Sequence, residues 1–80
     1  MAKQIISSVE ALRRSGLNLK TIREQKGYSI ATLAVLSGID EETIQAMESG
    51  NFNFYISTIY ELATTLNVVI REILVDRFKP

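Results

Sequence analysis

Asp40, Glu41 and Glu42 are the densest group of ionisable side chains in this 80-residue sequence. Three carboxylates together can attract a divalent cation, but these are consecutive and lack the interleaved spacing of a calcium loop. Their plainer role is local. Asp40 caps a helix, and Glu41 and Glu42 complement its positive N-terminal end, at about 0.3–1 kcal/mol for each well-placed charge. The chain has no Cys and no His. Disulfides, thiol nucleophiles, Cys or His metal ligands and the commonest general base are therefore excluded. Ser, Thr, Tyr and carboxylates remain, but nothing supplies a base oriented toward a nucleophile. An enzyme is not expected, and neither is a metal or a cofactor.

The cations are set apart from these acids. Residues 1–30 carry Lys3, Arg13, Arg14, Lys20, Arg23 and Lys26 against Glu10 and Glu24, a net +4. Residues 31–50 carry Asp40, Glu41, Glu42 and Glu48 and no cation, a net −4. No Lys or Arg lies between Lys26 and Arg71, and the whole chain is neutral. A nucleic-acid binder usually shows a basic stripe. Here it would have to come from the N-terminal third or the tail, with Arg13, Arg14 and Lys20 as candidate phosphate contacts.

The elements that would position these groups all read as helix. Eighty residues with 46% apolar side chains make one small domain with a thin core, which dimerisation would reinforce. No apolar run is long enough to span a membrane, and no signal-like segment opens the chain. A soluble cytoplasmic protein is the default expectation. Ile5, Val9 and Leu12 predict an N-terminal helix, opened near Ser7 or Ser8 and stopped at Ser15-Gly16. Asn18 is expected to cap a second helix that carries Leu19 and Ile22 inward and ends at Lys26-Gly27. Ser29 caps a third, with Leu33 and Ala34 inward and Ile30, Val35 and Leu36 left as surplus apolar residues. Gly38-Ile39 is a tight turn, and a fourth helix runs from Asp40 to Gly50 with Ile44 and Met47 inward. An aromatic loop, 51–55, precedes a helix starting at Ser57 or Thr58, where Ile59, Leu62, Ala63 and Leu66 give the strongest periodic signal. Asn67 ends it, and a short last helix carries Ile73 and Leu74. The expected organisation is an N-terminal helical segment or arm at 1–15, a domain at 16–76 and a loose tail at 77–80.

Two short helices joined by a Gly-containing turn between Ser29 and Gly50 form a helix-turn-helix pattern, whose second helix usually enters the DNA major groove. From about Leu19 to Leu74 the chain resembles the lambda-repressor/Cro-like, or XRE-type, helix-turn-helix family. The matching positions include Ile22-Arg23, Gly27-Tyr28-Ser29, Leu33-Ala34, Gly38-Ile39, Thr43-Ile44, Glu48 and Gly50. Thr58-Ile59, Leu62-Ala63, Leu66-Asn67-Val68 and Glu72-Ile73-Leu74 continue them. The resemblance implies an all-α fold: a compact five-helix lambda-repressor-like domain, here with an extra N-terminal helical segment. It implies a largely buried ion pair between Arg23 and Glu48. It also implies DNA-facing positions at Ser29, Thr32, Asp40, Glu41, Glu42, Thr43, Gln45, Ala46 and Asn51.

The chain departs from the family where phosphate is usually met. Ile30 replaces a common Gln, Glu41 and Glu42 replace basic or amide residues, and Val35 and Leu36 stand where polar residues are usual. Two functions follow as expectations. One is a sequence-specific DNA-binding transcription regulator acting as a homodimer, paired through Tyr60 and the 70–78 region. The other is a protein-interaction module, an antirepressor or regulatory-complex subunit, that keeps the fold with weak or no DNA binding. Its surface would be Ile30, Val35, Leu36, Phe52, Phe54 and Tyr55.

Overall fold

The computed structural model describes residues 5–6, 9–51 and 54–74. Leu12, Ser15, Leu19 and Ile22 follow at spacings of three and four, which is one continuous helical face, and all four are buried. They lie on a single helix, α1 (Val9–Gln25), which runs through Ser15 and Gly16 without the expected stop. The two helices anticipated on either side of that point are one, so residues 9–15 are not a separate arm. Gly16 is small for packing rather than for termination: a Cβ there would meet the carbonyl oxygen of Met47 and lie 2.9 Å from that of Glu48. Asn18 caps nothing. It is buried, and its Nδ2 donates to the carbonyl of Ile73 at 3.0 Å. The helix start anticipated at Ser7 or Ser8 and the tail at 77–80 lie outside the described residues.

Capping sets most of the other boundaries. At the end of α1, Gly27 N–H donates to Glu24 O and Tyr28 N–H to Arg23 O, the paired bonds of a Schellman motif. The second helix, α2 (Ile30–Ser37), opens at Ser29, whose hydroxyl accepts from Thr32 N–H at 3.0 Å. It closes at Gly38, whose φ of 77° is a left-handed conformation that favours glycine. The third, α3 (Glu41–Glu48), has Asp40 at its N-cap, but the expected side-chain cap is absent. The Asp40 main-chain carbonyl accepts from Ile44 N–H at 3.0 Å, while the carboxylate makes no cap hydrogen bond.

The aromatic loop is partly a strand. β1 (Ile5–Ile6) pairs antiparallel with β2 (Phe54–Tyr55), Ile5 opposite Tyr55 and Ile6 opposite Phe54. The ladder holds Tyr55 extended (φ −90°, ψ 138°), and α4 (Ile56–Leu66) starts directly after it rather than at Ser57 or Thr58. Asn67, at φ 61°, ends α4 with a Schellman pair of the same kind, and α5 (Ile70–Leu74) follows. Among the described residues the fold is all-α apart from this two-residue ladder. It has five helices among the described residues, because the anticipated extra helix is the first half of α1.

One core joins them. Leu12, Leu19 and Ile22 of α1 meet Leu33 of α2, Ile44 and Met47 of α3, four residues of α4 (Ile59, Leu62, Ala63, Leu66) and Ile73 of α5. Each large side chain so buried stabilises the fold by about 1.5–3 kcal/mol relative to exposure. Among the described residues no helix is long and apolar enough to cross a membrane.

Candidate nucleic-acid interface

The α2–turn–α3 unit is set by its inner side chains. Leu33 from α2 and Ile44 and Met47 from α3 are fully buried, and Ile39 half-fills the corner between the helices. With Ile44 and Met47 inward, helical spacing turns Glu42 and Gln45 outward; both are exposed, as is Glu41 in the first turn. Thr43 and Ala46 are half-buried, while Ser29, Thr32, Asp40 and Asn51 are exposed. Glu42, Gln45, Ala46, Ser49 and Asn51 line one shallow depression along α3. Asp40 and Thr43 line another with Gly38, Ile39, Tyr55 and Thr58. Ser49 was not anticipated at this surface. Its Oγ donates to Ala46 O at 2.9 Å, which tightens the end of the helix.

The C-terminal end of α3 is locked to α1. Arg23 Nε donates to Glu48 Oε2 at 2.6 Å and Nη2 to Oε1 at 3.0 Å, a bidentate pair, while Nη1 donates to Tyr28 O at 2.8 Å. The two side chains are only 9% and 7% exposed. Hydrogen bonding to Glu48 pushes the Arg23 pKa up. Burial works against this, and the charges of Glu48 and Glu24 reinforce it. The guanidinium thus stays charged inside the protein, and its fork fixes the rotation of α3 as well as its distance.

Two close approaches complete the seat. The end of α3 lies against Gly16, where any side chain would strike main-chain oxygens. Gly50, just beyond α3, lies against Arg13: a Cβ on Gly50 would sit 3.1 Å from Arg13 Cα. Sequence reading missed Gly16 and Asn18 as seating residues. The signal was the uninterrupted Leu12–Ser15–Leu19–Ile22 spacing, hidden because Ser-Gly reads as a helix stop.

The anticipated basic residues are all on α1. Arg13 and Arg14 both pair with Glu10, at 3.4 and 3.1 Å, and Lys20 is exposed. Of the anticipated apolar surface, Val35 is 81% exposed, Leu36 55% and Tyr55 37%. Ile30 does not belong to it. It is half-buried and packs on the core, because it stands three residues before the buried Leu33 and shares its helical face. Phe54 pairs with Ile6 in the ladder, and Phe52 lies outside the described residues.

The model of the HTH_3 helix-turn-helix family matches residues 19–73. The chain belongs to that family. The match takes in α2, the turn and α3 whole, together with Arg23 and Glu48. Solved structures agree with this XRE-type membership. The restriction-modification controller protein C.AhdI from Aeromonas hydrophila is 39% identical, with a TM-score of 0.75 over 78% of this chain and 94% of that one. A hypothetical transcription factor, NHTF, from Neisseria is 26% identical, with a TM-score of 0.76 over 94% of this chain and 86% of that one. The DNA-binding domain of BldD is 25% identical, with a TM-score of 0.78 over 86% of this chain and all of that one. No match was found among curated proteins. HTH_3 membership and these neighbours support a DNA-binding transcription regulator.

Proposed function

We propose that this chain is a sequence-specific transcription regulator that binds duplex DNA as a homodimer, with α3 in the major groove. The observation that carries the reading is the way α3 is held. Its inner face is in the core and its end is clamped by Arg23 and seated on Gly16, while Glu41, Glu42 and Gln45 stay exposed. Base contacts discriminate only when the reading helix is held in one pose. Gln45 offers an amide that matches adenine N6 and N7, and Glu41 and Glu42 can accept from cytosine N4. Asp40, Thr43 and Ala46 border them. The main-chain N–H groups of Ile30 and Ala31, in the first turn of α2, have no partner within the helix and can meet a phosphate beside Ser29 and Thr32. Asn51 is placed for the flanking backbone.

Pairing of two copies through the exposed Tyr60 and the α5 region would set two α3 helices about 34 Å apart, one turn of DNA. The likeness to C.AhdI makes a controller of restriction-modification genes the most specific role in keeping with this reading. Its location would be the cytoplasm or nucleoid. The alternative, a protein-interaction module with weak DNA binding, is favoured by one feature, the exposure of Val35 and Leu36 on α2.

The deciding experiment is selection from a random-sequence duplex pool by the folded chain, with the stoichiometry of the enriched complex. The expected outcome is a two-fold symmetric site bound by two copies. A folded chain that enriches no sequence would discard this function and leave the interaction module.

A further inference from the structure

The region that would face DNA is short of positive charge. No Lys or Arg lies between Lys26 and Arg71, and Asp40, Glu41 and Glu42 crowd the start of α3. Arg23 is engaged by Glu48 inside the fold. Phosphate neutralisation supplies most sequence-independent affinity, so a chain that binds duplex through α3 must bring a cation from another element. The first half of α1 does so. Arg13 stands against the turn that closes α3: a Cβ on Gly50 would lie 3.1 Å from Arg13 Cα and 3.6 Å from its Cβ. The exposed Asn51 is the next residue. The Arg13 side chain is 64% exposed, and its guanidinium rests on Glu10 at 3.4 Å. Arg14 shares that carboxylate at 3.1 Å, so the trio keeps a net positive charge. Exposed pairs of this kind are weak, and a guanidinium exchanges a carboxylate readily for a phosphate.

We propose that Arg13 contacts a phosphate on the DNA backbone flanking α3, with Glu10 as its resting partner. The proposal rests on the DNA-binding function given above. It adds a contact from a segment that precedes the residues matching the family, 19–73. The N-terminal half of α1 then serves as both brace and cation donor for an acidic reading helix.

The test uses the full chain, a duplex carrying the enriched site and a random-sequence duplex of equal length, with affinity followed against KCl. Arg13→Gln is expected to weaken binding to both duplexes by the same factor. It should flatten the slope of log K against log salt by about 0.9 per protomer. Arg13→Lys should retain the wild-type slope, Glu10→Gln should tighten binding to both, and Lys26→Gln, an exposed cation just past the other end of α1, should change neither. A wild-type slope in Arg13→Gln would overturn the proposal. So would equal losses in Arg13→Gln and Lys26→Gln, which mark a diffuse charge effect, or a flattened slope that Arg13→Lys does not restore. Wild-type protein that binds neither duplex at any salt would instead remove the DNA-binding function itself, and this contact with it.

Discussion

Glu48 ends α3 with both carboxylate oxygens bonded to Arg23 and almost no exposure to solvent. Removing one partner leaves the other charge buried and unpaired. Arg23→Leu should therefore lose about 3–5 kcal/mol of stability. Arg23→Leu with Glu48→Leu should lose much less than the two single changes summed, as read by urea denaturation. The raised Arg23 pKa has a definite sign: the charged form is the one favoured by folding. Its contribution is complete below the ordinary arginine value and is lost only as pH rises through the higher folded value, so the arginine side of the pair does not titrate near neutrality. The two N-caps give a second comparison. Ser29 makes its cap bond and Asp40 does not. Ser29→Ala should cost about 1 kcal/mol, and Asp40→Ala distinctly less, by thermal melts at matched salt.

At the scale of elements, α1 is the member that holds the others. It carries Gly16 against the end of α3, Asn18 against α5 and Leu12, Leu19 and Ile22 into the core. Helix propensity alone says that Gly16→Ala should stabilise by about 1 kcal/mol. The oxygens of Met47 and Glu48 occupy the space that the methyl needs, so the opposite is expected, a loss of about 1–3 kcal/mol by overpacking. Asn18→Leu leaves the buried Ile73 carbonyl without this donor and should cost about 1–3 kcal/mol. A stabilised Gly16→Ala would mean that α3 does not sit where the fold places it.

The parts of this arrangement that depend on local chemistry were legible in the sequence. Ser29, Gly38 and Asn67 mark their boundaries because each acts on its own main chain, and the apolar spacing of α2 to α5 names the core. The long α1 was not legible, because Ser15-Gly16 has the composition of a stop and its true neighbours lie about thirty residues later, in Met47 and Glu48. The ladder between β1 and β2 joins segments from opposite sides of α1, α2 and α3, and no local pattern announces it. The exposure of Glu42 and Gln45 on α3 was legible once Ile44 and Met47 were assigned inward, while the half-burial of Thr43 and Ala46 was not. The position of Arg13 beside Gly50 was not, since it depends on how two helices cross.

At the scale of the whole molecule, charge and shape pull in different directions. The helix-turn-helix is complete and firmly held, yet α3 opens with three acids, and neither α2 nor α3 carries a Lys or Arg. Such a protein should rely less on bulk phosphate attraction than most DNA binders and more on base contacts and main-chain N–H groups. Its preference for one sequence should then persist as salt rises, while its affinity for arbitrary DNA stays low. The most direct measurement is the ratio of affinities for the enriched duplex and a scrambled duplex of the same length and composition, for wild type and Gln45→Ala. A ratio of about a thousandfold or more in the wild type, reduced in Gln45→Ala without loss of folding, is the expected result. Equal affinity for the two duplexes in the folded wild type would contradict a reading role for α3.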